Sequence, residues 1–255
     1  MGTVGSVEGT RITVGDGVEL AAYRSPGWST DGTVAVLLHG IGMSHLTFER
    51  MQPLLAATMS VVSFDLPGFG STRTPPRPFS VVDHALAVDA ALRELGVARR
   101  VVVGHSMGAQ SAVELAVRRP EEVAGVVLIG PVVDPRRRAL LIQAKDLALD
   151  MLREPPYANL RALGDYVRGG LPWYLANVTA MFEYLTEDRV RAVRCPVVVM
   201  RGERDPVARE PWCRRLASAA AGPAEFVTVP GRAHVIPQTA AAAVAGVVTR
   251  VTGNG

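Results

Sequence analysis

The segment Gly104-His105-Ser106-Met107-Gly108 follows directly on Val101-Val102-Val103 and leads into a helical pattern over residues 109–119. No other feature constrains the fold of this chain as tightly. A strand that turns at once into a helix holds its corner serine in a strained conformation. The strain costs on the order of 1 to 3 kcal/mol and lifts the hydroxyl clear of the sheet. Gly104 and Gly108 suit such a corner, because a side chain two residues either side of the serine would crowd strand against helix. The apolar strand before and the helix after are the context that this nucleophile elbow requires.

A nucleophilic serine needs a base, and the base needs an orienting carboxylate. Residues 195–202 (CPVVVMRG) and 225–231 (EFVTVPG) read as buried strands, and just past them come Arg204-Asp205-Pro206 and Arg232-Ala233-His234. Ser106, Asp205 and His234 therefore fall in the order serine, acid, histidine. Each lies beyond the carboxyl end of an expected strand, where open α/β sheets place their sites. Asp134, past another expected strand, is a rival orienting acid. A tetrahedral intermediate also needs two main-chain donors. The strand at 33–38 (TVAVLL) ends in the glycine-rich turn His39-Gly40-Ile41-Gly42, so the expected donors are the amides of Ile41 and Met107.

Residues 11–14 and 18–25 form an expected hairpin around Asp16-Gly17, a strong turn dipeptide. Strands are then expected at 33–39, 61–66, 101–104, 123–130, 195–201 and 225–230, and helices at 45–58, 80–95, 107–118, 207–220 and 236–251. This alternation implies a mostly parallel sheet with helices on both faces and an antiparallel start at one edge. Residues 132–193 break the alternation, with helical periodicity, no convincing strand and a richer aromatic content. They are expected to form a helical cap, divided at Pro155-Pro156 and Gly169-Gly170. It would be inserted after the sixth strand into a core made of 1–131 and 194–255, and would fold over the serine. Trp173, Tyr174, Met181, Phe182 and Tyr184 are candidates for an apolar pocket, although most aromatics in a small cap simply pack it against the main domain. His39 and His105 would flank the site without transferring protons, His39 as a pocket residue.

These residues resemble the α/β hydrolase fold superfamily, and within it the cap-bearing serine esterase and carbon-carbon hydrolase type. The resemblance rests on His39-Gly40, Asp65-Leu66-Pro67-Gly68-Phe69-Gly70, the elbow at Ser106, Gly202-Glu203-Arg204-Asp205 and Gly231-Arg232-Ala233-His234. It covers nearly the whole chain. It implies an acyl-enzyme on Ser106, with His234 as base, Asp205 as orienting acid in the usual Gly-Glu-Arg-Asp setting, and Asp65 as a structural residue. A serine at the elbow disfavours the epoxide hydrolases and haloalkane dehalogenases of the superfamily, which carry aspartate there. One departure is local: Arg232-Ala233 stand where many members carry a histidine or glycine. Three function classes stay open. The first is hydrolysis of a small or medium apolar ester, lactone or thioester. The second is hydrolysis of a carbon-carbon bond in a vinylogous diketone, with Arg232 or Arg168 receiving a second carboxylate. The third is a binding or biosynthetic protein that performs no acyl transfer.

Composition fits this reading. The chain of 255 residues is long enough for one core with an inserted lid. The formal charge is only +3, Lys145 is the sole lysine, and no basic patch is interleaved with aromatics, which argues against nucleic-acid binding. No apolar run approaches the ~18 residues of a membrane span, and no leader pattern opens the chain, so a cytoplasmic protein is expected. Met1-Gly2 with Ser6, and Asn177-Val178-Thr179, match acylation and glycosylation patterns by chance. Cys195 and Cys213 make no disulfide framework or metal site. The expectation is therefore a small-molecule substrate with no cofactor, metal, nucleic-acid or membrane partner, in a monomer or homodimer.

Overall fold

The computed structural model describes residues 7–139, 145–146, 148–150, 152–154 and 170–253. Its strands are β1 (Glu8–Val14), β2 (Val18–Arg24), β3 (Val34–Leu38), β4 (Val61–Asp65), β5 (Arg100–His105), β6 (Val123–Ile129), β7 (Val197–Gly202) and β8 (Ala224–Val229). They form one sheet in the order β1-β2-β4-β3-β5-β6-β7-β8. The β1–β2 and β2–β4 pairs are antiparallel and the remaining pairs parallel. The antiparallel edge and parallel body follow the sequence expectation, and the architecture is the α/β hydrolase fold.

Unbroken apolar strands such as VAVLL and RVVVGH are what a sheet covered on both faces demands. Side chains alternate between two cores. Val34, Val36, Leu38, Val102, Val126, Leu128, Val197 and Val199 face one, while Ala35, Leu37, Val101, Val103, Val127, Ile129, Val198 and Met200 face the other. The first face is covered by α2 (Val81–Glu94) and α3 (Met107–Arg118), and the second by α1 (Gln52–Ala56). The α2 start is read directly from Ser80-Val81-Val82-Asp83: the Ser80 hydroxyl accepts the Asp83 amide at 3.1 Å and the Asp83 carboxylate accepts the Ser80 amide at 2.8 Å.

Helices α4 (Leu171–Glu183) and α5 (Thr186–Val190) dock on α3. The Gln110 amide donates to the Met181 carbonyl at 3.0 Å, and the buried Glu114 carboxylate accepts from Arg118, Tyr184 and Arg189. Helix α6 (Glu210–Ala219) lies on the first face, where the fully buried Trp212 donates its indole N–H to the Pro131 carbonyl at 2.9 Å. Helix α7 (Ala241–Val251) closes the second face with Val244, Val247 and Val248.

Two expected helices are interrupted. Over 45–58 the chain makes a short 3-10 turn, His45–Phe48, and then α1, with Pro53 in its first turn. Proline has no N–H to give a preceding turn, so it starts a helix more readily than it continues one. Over 236–251 a helical turn, Ile236–Thr239, is separated from α7 by Ala240, whose φ of −143° is not helical. Pro155-Pro156 and Gly169 lie outside the described residues, as does Arg168; Gly170 has φ +75° and immediately precedes α4.

Candidate active site

The chain runs from β3 out to β4 and returns to β5 on the other side of β3. The loops after β3 and β5 therefore diverge at a topological switch point, the place where open α/β sheets bind their ligands. Parallel pairing with Leu38 opposite Gly104, and His105 opposite Ile129, brings the turn His39-Gly40-Ile41, the corner Ser106 and the β6 end together.

Ser106 has φ 56° and ψ −118°, one of two non-glycine residues with positive φ among the described residues. Its amide donates to the Ile129 carbonyl at 2.8 Å and its carbonyl accepts the Ala109 amide at 3.0 Å, so neighbouring structure holds the strained conformation. Both flanking glycines are required by contact. A Cβ on Gly104 would run into the Gly108 carbonyl, and one on Gly108 into the Leu38 carbonyl. A Cβ on Gly40 would stand 2.9 Å from the Ser106 Cβ, so the turn after β3 passes directly beside the serine. The Met107 amide lies in the first turn of α3, where a helix offers no internal acceptor.

The sheet carries Asp205 and His234 to the same end, on the loops after β7 and β8. The Asp205 carboxylate accepts the Val207 and Ala208 amides on one oxygen at 2.8 and 2.9 Å, and His234 Nδ1 on the other at 2.8 Å. Burial pushes this carboxyl's pKa up, but the imidazole and the two amides outweigh it and hold the pKa below the ordinary carboxylate value. An ionised acid makes Nδ1 the donor, which leaves Nε2 as the free base nitrogen of neutral His234. Burial also opposes a charge on His234, but the Asp205 charge and hydrogen bond prevail and raise its pKa to about 9. His234 is linked to the serine corner twice. The His105 ring, next to Ser106, lies 4.9 Å from its own and donates through Nε2 to the His234 carbonyl at 3.2 Å. Gly130, after β6 with φ +55°, passes under the imidazole so closely that a Cβ would stand 2.8 Å from it. Burial drives the His105 pKa down to about 3, so that ring is neutral.

The other expected residues are placed as follows. Asp134 binds Arg215 at 2.5 Å and the Arg136 amide at 3.1 Å, while Asp205 holds the imidazole. His39 is fully buried. Its Nε2 accepts the Leu66 amide at 2.9 Å, so Nδ1 carries the proton and donates to the Gly40 carbonyl at 2.7 Å. Both nitrogens are thus spent on main chain, and His39 shapes the turn after β3 instead of offering a polar group to a pocket. Asp65 is structural: it accepts from the Ser71 amide, Tyr23 and His45, closing the turn that follows β4. Trp173 lies on Gly68, whose φ of +81° and lack of a Cβ admit the indole, and it belongs to the main core together with Met181. Phe182 and Tyr174 are half-buried, Phe182 packing against that core. Arg232 is exposed.

Four functional neighbours were not found from sequence. Arg201, at the end of an apolar run, is buried and donates to the carbonyls of Glu203, Asp205 and Ala208, fixing the acid loop. A charged residue inside VVVMRG was a readable signal. Gly130 carried a weaker one, a glycine just past a strand. Asp150 and Glu154 carried none. Their carboxylates accept the amides of His234 at 3.0 Å and Val235 at 2.6 Å. Among the described residues no group of three His, Cys, Asp or Glu is placed to hold a metal ion, and no helix is long and apolar enough to cross a membrane.

A sequence model described as "Alpha/beta hydrolase family" matches residues 35–247. An uncharacterized hydrolase of Bacillus subtilis, YugF, is 35% identical over 122 residues, which is 47% of this chain and 43% of that protein. The matched region thus spans less than half the length of that relative. Among solved structures, the enol-lactonase from Burkholderia xenovorans LB400 superposes with a TM-score of 0.81 at 21% identity, covering 95% of this chain and 99% of the other. The 2-hydroxy-6-oxo-6-phenylhexa-2,4-dienoate hydrolase from Rhodococcus sp. strain RHA1 superposes at 0.77 with 19% identity, covering 96% and 98%. At these identities the structural matches speak for the fold alone.

Proposed function

Because the chain belongs to the α/β hydrolase family, we propose that it is a serine hydrolase cleaving a small or medium apolar ester, lactone or thioester through an acyl-enzyme on Ser106. The observation that carries this reading is the 2.8 Å bond from His234 Nδ1 to the ionised Asp205, beside a serine held at φ 56°. That bond points the basic nitrogen away from the acid. Serine attack on the carbonyl passes the hydroxyl proton to His234 Nε2, while Asp205 fixes the tautomer and stabilises the imidazolium. The Ile41 and Met107 amides hold the developing oxyanion, each worth about 3 to 4 kcal/mol of transition-state stabilisation. His234 then protonates the leaving group, activates a water for deacylation and releases the acid.

Residues 132–193 act in this reading as a cap over the serine, set on a core of 1–131 and 194–255. An apolar lid suits an apolar acyl group and strengthens the electrostatics of the oxyanion site by excluding water. The fold it shares with an enol-lactonase is compatible with a lactone substrate.

The test is turnover of a chain-length series of p-nitrophenyl acyl esters and of simple lactones, beside Ser106→Ala. Serine-dependent turnover with a preference for short or medium acyl chains is expected. Well-folded protein inert to all of them would contradict the ester reading. Turnover of a vinylogous diketone instead would move the substrate to the carbon-carbon class.

A further inference from the structure

Asp146, Asp150 and Glu154 recur at every fourth position in a segment pressed onto the loops that carry Asp205 and His234. All three are buried. Asp146 pairs with Arg137 at 2.8 Å and with Arg209 at 3.3 Å. Among the described residues Asp150 and Glu154 make no such ion pair; they accept the consecutive amides of His234 and Val235. Arg153 donates to the Arg204 carbonyl at 2.7 Å, beside the acid itself. Two carboxylates are poor choices for merely closing off two amides, since a neutral side chain would do so without burying charge. Their placement behind a residue that becomes cationic during turnover gives the charge a purpose.

We propose that Asp150 and Glu154 are positioning residues for His234: they hold its main chain at the His234 and Val235 amides, and their negative charge stabilises the imidazolium formed during acyl transfer. This rests on the reading of His234 as the general base. The docking of one segment thereby sets both the place and the basicity of the imidazole.

Among the described residues, the groups facing His234 are few. Asp205 approaches from the β7 loop and His105, neutral, from β5; β6 presents only Gly130. Arg232, on the same loop, is exposed. Arg201 is engaged by the carbonyl oxygens of the acid loop, and Arg153 draws on Asp150. Burial raises the pKa of both Asp150 and Glu154 above the ordinary carboxylate value, and above those raised values their charges act on His234. Both charges favour protonated His234, alongside the larger effect of Asp205.

Asp150→Asn and Glu154→Gln test this directly, because an amide oxygen still accepts the main-chain N–H while the charge is lost. The first readout is the NMR titration of the His234 Cε1–H, assigned with His234→Gln. The second is kcat/KM against pH. In wild type both midpoints are expected above the ordinary imidazole value, near the about 9 to which Asp205 raises His234. Removing a negative charge destabilises the imidazolium, so each variant shifts both midpoints to lower pH by roughly half a unit, and the pair shifts them by about one. At the alkaline plateau kcat falls severalfold, because a weaker base drives proton transfer less well. A purely structural role would lower Tm and leave the titration midpoint in place, and that result overturns the proposal. Glu154→Gln, which touches the neighbouring amide, repeats the measurement should Asp150→Asn fold poorly. If His234→Gln retains full activity, the base reading fails instead, and the NMR titration still decides whether the carboxylates act on the ring.

Discussion

Ser106→Ala is expected to fold normally and to lose roughly 10⁴- to 10⁶-fold in kcat/KM toward whichever ester the wild type turns over best. The substitution removes one oxygen. Its main-chain bonds to Ile129 and Ala109 survive, and alanine occupies φ 56° at about the same strain as serine. Residual hydrolysis would reflect the oxyanion amides and substrate binding alone. Steady-state kinetics with a thermal melt on the same preparation measure both halves of the statement. A loss under tenfold at unchanged Tm would remove Ser106 as the nucleophile.

The second large effect separates the two candidate acids. Asp205→Asn is expected to lower kcat by roughly 10⁴-fold, about 5 kcal/mol in the barrier, because an amide nitrogen facing Nδ1 favours the wrong imidazole tautomer. Retention of the Val207 and Ala208 amide bonds by the remaining carbonyl oxygen would make the misalignment worse, since it turns the new NH₂ group toward the ring. Asp134→Asn should leave kcat within a factor of a few, since its carboxylate is engaged with Arg215 and the Arg136 amide. It should lower Tm slightly by weakening a part-buried ion pair. Comparable losses at both positions would mean that the acid role is shared.

The strands were legible because each is buried on both faces, so the apolar run and the strand are the same residues, as in Val101-Val102-Val103. The pairing of Asp205 with His234 was legible through chain order and their place just past such runs. What sequence did not reveal was long-range or depended on local backbone geometry. Asp150 and Glu154 meet the histidine loop across 84 and 81 positions, and no local pattern encodes that contact. Arg201 was signalled only by its charge within an apolar strand, and the three carbonyls that it spans are set by the fold of the acid loop. His39 invited a pocket role, yet its two nitrogens close main-chain bonds on either side of the β3 turn. The helix expected over 45–58 is broken ahead of Pro53, which lacks the N–H that would continue the preceding turn.

The same physical pattern runs through the site. Each member of the proposed triad is held by contacts that something else fixes: Ser106 by the β6 carbonyl, Asp205 by two amides and the Arg201 fork, His234 by His105, Asp150 and the gap at Gly130. Reactive geometry maintained within tenths of an ångström needs this support, because small misplacements cost large factors in rate. Arg201→Lys is accordingly expected to reduce kcat by about tenfold or more, since a lysine cannot span the carbonyls of Glu203, Asp205 and Ala208 together.

The central claim is that Ser106 is a nucleophile activated by His234. Intact-mass analysis after exposure to a fluorophosphonate tests it without knowledge of the substrate. One adduct per chain is predicted, located on Ser106, absent from Ser106→Ala and formed at least a hundredfold more slowly in His234→Ala. Folded wild type that takes no label, or label that persists undiminished in Ser106→Ala, would contradict the claim.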